Sequence, residues 1–562
     1  AIDKDLTMAR RQLTRQLVRA ACGGGSSSPS QQLRRFALHE HHFGNISGSK
    51  HLSATPSDFH SHLCQKIRHA QERVILASLY IGVGSGSELG EMSTSKDHHY
   101  CKEDEFLQSL YFAASNEKIK QMQIILDANR AMRKVSFTNK RNAGQSHDSN
   151  QGSRLSTNSA DAVLSTLKPF LERIEGDNHS KNSNNGLFLF PVNDQRLCTI
   201  LPSPLDEVAG VFHIKAYLVD DELILSGANL SEEYFSNRLD RYMLFTDGGG
   251  GLVDFYADLC DTLCSYAIKY DGQPSLLSTQ SFDSTRKQQL ESSLARLFVD
   301  ETQTILPDAC SHSDALDPVA YAIPTFQVPN SFLGRPFQFQ SDNDASRDLL
   351  LAAVESEQNM SVRLSSAYLN LTPRLRSVLT MFGNKRGGGA PYVLTAGAMS
   401  HGFAPKKQTT SKQNNVGIVD KIKSSIPEAF LTLVKEASQS IIACGGKVLL
   451  YERQGWTFHA KGVWITANDT NTSRQELIND PTSVVSTIIG SGNYGARSED
   501  LDVESNCVIV FNEQSKGEPI QQSVANDWNN MCEHSTVTED LDFRDDVNNL
   551  TNIVVQFMKK FL

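Results

Sequence analysis

Long apolar runs are missing from this chain. None approaches the roughly 20 residues of a membrane-spanning helix, and the mean hydropathy is −0.34. A lipid substrate would therefore be met from the membrane surface. Positive charge is short as well: 54 Lys and Arg stand against 64 Asp and Glu, a formal net charge of −10. A general nucleic-acid binder needs a basic surface, so no nucleic-acid partner is expected. Ten cysteines are scattered without a CxxC pair, which is not the spacing of a structural zinc site and fits a reducing compartment. Cys260 and Cys264 are one helical turn apart and read as helix packing. No group of carboxylates is spaced to hold magnesium, so neither a metal nor a cofactor is expected.

What is present is length and a repeat. The 562 residues and a hydrophobic fraction of 39% support a substantial core, in two to four domains at roughly 150 residues each. Residues 211–242 read VFHIKAYLVDDELILSGANLSEEYFSNRLDRY. His213 and Lys215 are two apart, so on a strand they point to one face. Asp220 follows, then an apolar run into Ser226-Gly227-Ala228-Asn229. A second copy appears late in the chain. In TFHAKGVWI, His459 and Lys461 stand in the same relation, and STIIGSGNYG carries Ser491 and Asn493. One His-x-Lys is an ordinary solvated strand face. Two, each followed by an apolar-Gly-Asn element, point to a repeated active-site unit. The second copy departs from the first at Thr466, which stands where Asp220 would be.

The double pattern resembles the phospholipase D superfamily, whose repeated element is HxKxxxxD followed by GSxN. More narrowly, GWTFHAKGVW, the 211–242 segment, ILDANRAMR (125–133), MSHGF (399–403) and SIPEAF (425–430) resemble the eukaryotic phosphatidylglycerophosphate synthases. That resemblance implies transfer of a phosphatidyl group from CDP-diacylglycerol to sn-glycerol 3-phosphate. Phosphatidylglycerophosphate and CMP are the products, in the committed step towards phosphatidylglycerol and cardiolipin. It implies His213 as nucleophile, His459 as acid/base and a phospho-histidine intermediate; residue types alone do not say which histidine is which. It also implies an acid beyond each GSxN element to hold the histidine's other nitrogen. The matching residues are Asp240, at 240 − 213 = 27 positions beyond His213, and Glu504, at 504 − 459 = 45 beyond His459. The implied place is the matrix face of the mitochondrial inner membrane.

The chemistry suits the residue types. Two histidines at a domain interface permit two-step displacement at phosphorus, one attacking and one moving protons. Lys215 and Lys461 neutralise phosphate oxygens, and Asn229, Asn493 and Ser491 add hydrogen bonds. Arg130 and Arg133 follow a strand end, where α/β proteins bind ligands; one or both would hold the glycerol-3-phosphate phosphate, or lie plainly on the surface. Tyr80 and Tyr368, in matching positions of the two copies, line a lipid or cytidine pocket or are core aromatics. His401 stays ambiguous. Rival readings are a hydrolytic phospholipase D or nuclease, a tyrosyl-DNA phosphodiesterase, and a non-catalytic scaffold on the same fold.

Strands alternate with helices along the chain, which argues for α/β layers. The second half repeats the element order of the first. The expected architecture is α/β: two homologous phospholipase D-like α/β/α domains in pseudo-two-fold arrangement, with the active site at their interface. Residues 1–45 are expected to be a transit peptide or disordered N-terminus, because residues 8–39 hold six arginines and no acid. Residues 46–285 form the first domain, 286–330 a connection and 331–562 the second domain. Residues 134–160 read as a mobile insert. Gly248–Gly251 read as a loop, and 545–562 as a helix that packs on the core or lies in a membrane interface. Oligomeric state is not indicated.

Overall fold

The computed structural model describes residues 2–23, 32–47, 54–84, 101–138, 154–176, 184–192, 210–246, 250–274, 284–300, 318–385, 389–402, 418–467, 484–512, 519–537 and 549–561. Polar stretches that read as loops in the sequence, 404–420, 467–482 and 176–186, lie outside the described residues except for 418–420, which begin the helix Ile418–Ala443 and correct that reading, and residues 467, 176 and 184–186; Gly248 and Gly249 of the expected glycine loop lie outside them too.

Two sheets form the frame. The first runs Tyr242–Phe245, Glu222–Ser226, Ala216–Val219, Arg73–Ser78, Gln121–Asp127, Gly186–Phe190, Ile268–Lys269. Its three inner strands, Arg73–Ser78, Gln121–Asp127 and Gly186–Phe190, are parallel. Apart from Gln123 their inner residues are apolar, because helices cover both faces. The second sheet repeats this order strand for strand: Glu504–Phe511, Val484–Gly490, Gly462–Ala467, Met360–Ser365, Tyr392–Ala396, Lys447–Tyr451, Ser535–Val537. Each neighbouring pair keeps the direction of its counterpart. One core cluster runs between the two halves, from Tyr256 and Cys260 on the helix Leu252–Tyr266 to Phe326 and Cys507 on the second sheet.

Several expectations are corrected. The second sheet carries two further strands, Phe36–Leu38 and Ala320–Gln327. The latter comes from the span expected to be a connection, and it pairs over its whole length with Glu504–Phe511. The described part of the first 45 residues is folded. A helix at Ile2–Ala21 presents Leu13, Leu17, Val18 and Ala21 to the core. These positions are one or two helical turns apart, so they form an apolar stripe opposite the arginines. Gln16 Nε2 donates to the carbonyl of Ala352 at 3.0 Å, and Thr14 Oγ1 to that of Phe511 at 3.3 Å. A basic composition with no acid described the exposed face and hid the buried one. The described ends of the span 134–160 hold a two-stranded ribbon, Val135–Thr138 with Arg154–Thr157, and the start of a helix at Ser159–Glu175, while residues 139–153 of the expected insert lie outside the described residues. The C-terminal helix Asn549–Phe561 packs against the helix Ile418–Ala443, burying Val554 and Val555. Asn370 Nδ2 donates to its Lys559 carbonyl at 2.9 Å.

Candidate active site

The paired histidines stand on the extended segments leading into strands Ala216–Val219 and Gly462–Ala467, not on the strands themselves. Each segment crosses to the other half. The His213 amide donates to the Val503 carbonyl at 2.9 Å, and the His459 amide to Leu239 at 2.9 Å. Phe212 bridges to Val503 in parallel, as Thr457–Phe458 pairs with Arg238–Leu239. Asp127 fixes the first crossing from behind, its carboxylate accepting the Phe212 amide at 2.8 Å.

This crossing decides which acid holds which histidine. Val503 and Leu239 each precede an acid, so the partners are exchanged between the halves. Glu504 accepts from His213 Nδ1 at 3.0 and 3.1 Å, and Asp240 from His459 Nδ1 at 2.7 Å. Sequence order places each acid with the histidine of its own copy, and the fold reverses this. A carboxylate only accepts, so in both rings the proton sits on Nδ1 and Nε2 keeps its lone pair.

The four charged partners are fully enclosed. Lys215 and Lys461 are each 2% exposed. Lys215 Nζ donates to the His213 carbonyl at 2.7 Å. Lys461 Nζ donates to the His459 carbonyl at 2.9 Å, lies 2.6 Å from His459 Nδ1, and stands 3.6 Å from Asp240. Burial, then the neighbouring lysines, hold both imidazoles well below their ordinary 6.5. Burial pushes the Asp240 and Glu504 carboxyls up, against the pull of Lys461 and Lys215 respectively. Burial also lowers both lysines, opposed by those same acids. Two lysines and two acids therefore surround the two imidazoles. Gly227 is required at this point: a Cβ there would come within 2.6 Å of Asp240 and 2.8 Å of Lys461.

The asparagines complete the enclosure. Asn229 is buried and Asn493 partly so, and the side-chain oxygen of neither has a partner among the described residues. Ser491 is otherwise employed, its hydroxyl bonded to the backbone of Ser505. Behind it, Asn506 accepts the Gly492 amide at 3.0 Å and donates to Asp342 at 2.6 Å.

No family model matches the chain. Over 513 residues it is 26% identical to the mitochondrial CDP-diacylglycerol–glycerol-3-phosphate 3-phosphatidyltransferase of Homo sapiens, covering 85% of this chain and 77% of the human one. The Saccharomyces pastorianus enzyme of that description is 24% identical over 512 residues, covering 88% and 83%. The chain is a relative of these phosphatidyltransferases. A probable Dictyostelium discoideum counterpart is 26% identical over 493 residues, covering 84% and 70%. The fold is that of the phosphatidylserine synthase of Haemophilus influenzae, with a TM-score of 0.59 and 17% identity, over 98% of this chain and 97% of that one.

In this phosphatidyltransferase relative, Asp220 is not at the site. It sits at a tight turn with φ of 51°, and its carboxylate accepts the backbone amides of Gln71, Glu72 and Arg73 at 2.8 to 3.1 Å. Its role is to pin a hairpin to the head of a neighbouring strand. Thr466, its counterpart, is buried within the strand Gly462–Ala467. Tyr80 and Arg130 stack, with the guanidinium 4.7 Å from the ring centroid, and Tyr80 Oη lies 3.3 Å from Ser231 Oγ. Arg133 is partly buried beside them in sequence. Tyr368 and His401 both lie against Phe430, at 6.3 and 4.5 Å between centroids.

Three residues near the histidines escaped the sequence reading. Tyr234 and Arg238 belong to the run EEYFSNR between the GSxN-like element and Asp240, where only the acid was expected to matter. Arg241 is buried, lies 4.0 Å over Trp464, donates to the Ile488 carbonyl at 2.9 Å and pairs with Asp527 at 3.3 Å. It ties the segment bearing Asp240 to the second sheet. Their mark in the sequence was three aromatic or basic residues around the acid in one copy and none at the corresponding places in the other.

Proposed function

We propose that this chain transfers a phosphatidyl group from CDP-diacylglycerol to sn-glycerol 3-phosphate, forming phosphatidylglycerophosphate and CMP. The observation that carries this is the enclosed pair of imidazoles, each held at Nδ1 by the other half's acid, in a relative of enzymes of that name. His213 Nε2 attacks the phosphorus bearing the diacylglycerol, and the bond to CMP breaks. CMP is a phosphate monoester with a second pKa near ~6, so it departs without needing a proton, and a neutral His459 suits that step. The phospho-imidazole keeps its proton on Nδ1, hydrogen-bonded to the Glu504 carboxylate. The acceptor hydroxyl, unlike CMP, needs a base, and His459 Nε2 receives its proton. Lys215 and Lys461 offset the charge on phosphorus throughout.

The acceptor phosphate is met by cationic side chains such as Arg130 and Arg133, and the donor at a membrane surface. Among the described residues no helix is long and apolar enough to cross a membrane. A peripheral position on the matrix side of the mitochondrial inner membrane follows from this reading. Labelled CDP-diacylglycerol supplied with glycerol 3-phosphate, serine, inositol or water tests it. The expected product is phosphatidylglycerophosphate, formed only with the first acceptor. Phosphatidic acid released at the same rate with every acceptor would make the chain a hydrolase instead.

A further inference from the structure

The two halves align without a gap from the asparagine to the acid: 240 − 229 = 11 and 504 − 493 = 11. Five positions beyond the asparagine, at 234 − 229 = 5 and 498 − 493 = 5, one half has Tyr and the other Ser. Ser498 is turned to the acid, its hydroxyl donating to Glu504 at 2.8 Å and accepting the Asn493 amide at 3.1 Å. Tyr234 is turned to the histidine. Its Oη lies 3.2 Å from His459 Nε2, and its ring meets the imidazole edge-on with centroids 5.0 Å apart. Arg238 holds it there. Its Nη1 donates to Tyr234 Oη at 3.2 Å, its Cζ lies 4.8 Å over the phenol ring, and its remaining nitrogens are anchored on Thr457 and Glu233. His213 Nε2 has no such cover among the described residues. The repeat thus makes two similar histidines, and they differ in two contacts: Lys461 Nζ lies 2.6 and 3.4 Å from the ring nitrogens of His459, where Lys215, among the described residues, reaches only the His213 carbonyl, and Tyr234 covers Nε2 of His459.

We propose that Tyr234, aimed by Arg238, is the positioning residue that sets the division of labour between the histidines. Since Nδ1–H of His459 donates to Asp240, the phenol donates to the Nε2 lone pair. That bond bars Nε2 from attack on the donor phosphorus and leaves His213 as the only open nucleophile. It also favours the neutral ring, which is the form a base requires. In the second step the acceptor hydroxyl replaces the phenol on Nε2. The acceptor O–H bond breaks and its proton passes to His459. The oxygen bonds to phosphorus, and the bond from phosphorus to His213 Nε2 breaks with its electron pair returning to that ring.

The inference rests on the two-step transfer proposed above. The charged and titratable groups facing His459 are Lys461 on its own segment, Tyr234, Arg238 and Asp240 on the segment after Asn229, and His213 and Lys215 across the interface. Tyr80 and Glu233 act on Tyr234 and Arg238 in turn. Tyr234→Phe keeps the ring contact and removes only the hydroxyl, and the others stay in place. The experiment is rapid-quench CMP release with alkaline peptide mapping of the phosphatidyl adduct, plus the pH profile of transfer. Wild-type protein is expected to carry the adduct on His213 alone. Tyr234→Phe is expected to keep a CMP burst, to place part of the adduct on His459, and to slow transfer by about tenfold or more, with the acid limb of kcat/KM moved to higher pH. Arg238→Gln, which leaves the phenol unaimed, moves that limb in the same direction and serves if Tyr234→Phe does not fold. An adduct confined to His213 in the variant, or an acid limb that stays put in both, overturns the proposal. Donor-only adduct mapping needs no acceptor, so it fails separately from the choice of glycerol 3-phosphate, which wild-type transfer tests.

Discussion

At the scale of single residues, charge and burial decide what each group does. Lys215 and Lys461 are enclosed beside the histidines, whereas Asp220 is spent on three backbone amides at a turn. Asp220→Asn is therefore expected to leave turnover within about twofold while lowering stability by about 1–3 kcal/mol, the cost of weakening hydrogen bonds to a charged acceptor. Lys215→Ala or Lys461→Ala is expected to lower turnover about a hundredfold or more. Thermal melts beside acceptor-dependent turnover separate the two, and equal losses of activity in all three folded variants would sink the distinction. The histidines give a pH signature. Both are held well below 6.5 by burial and then by the lysines, so the acid limb of kcat/KM is expected below that value. Stability follows the same sign: below 6.5 the unfolded imidazoles take up protons that the folded ones refuse. Their contribution is thus complete above 6.5 and lost as the pH falls through it. His459→Gln is expected to flatten part of this fall in melting temperature.

At the scale of elements, the two crossing segments matter more than the sheets they enter. Each brings its histidine to the acid of the other half, so neither half holds a complete site. Variants of the acids should then separate by step. Glu504→Gln removes the charge that holds the His213 proton during attack and is expected to suppress the CMP burst itself. Asp240→Asn weakens His459 as a base and is expected to spare the burst while slowing transfer. If the two variants exchange these effects, the exchanged pairing is not what acts in catalysis.

At the scale of the whole molecule, the N-terminal helix is part of the second half's core. Leu17 is fully buried and Leu13 nearly so. Leu17→Ala is expected to cost about 2–5 kcal/mol, read as a lower denaturant midpoint, with transfer per folded molecule unchanged. A cost near zero would mean that the helix is not docked in solution. The surface arginines of this helix leave its apolar stripe free to pack, which is why composition alone gave the opposite expectation. The same scale governs membrane attachment. On the proposed peripheral position, and with the C-terminal helix packed on its neighbour, the protein is expected to leave mitochondrial membranes in alkaline carbonate. Retention in the pellet would show an anchor.

The sequence by itself determined the repeat, the α/β class and the identities of both histidines and both lysines. These are local patterns, a fixed spacing on extended chain and apolar runs of strand length, and they survive without knowledge of what packs where. The two acids came with the family resemblance, which implies one beyond each asparagine-bearing element. Only the tertiary structure decided their pairing, since that depends on two segments crossing an interface and not on any separation along the chain. The burial of the N-terminal helix was decided there too, as was the recruitment of Ala320–Gln327 into a sheet whose partner strand lies 504 − 327 = 177 positions away. Most clearly, one position in the repeat, Tyr in one half and Ser in the other, shows a difference of size in the sequence. That one covers a histidine and the other braces an acid is settled by the direction each side chain takes in the folded interface.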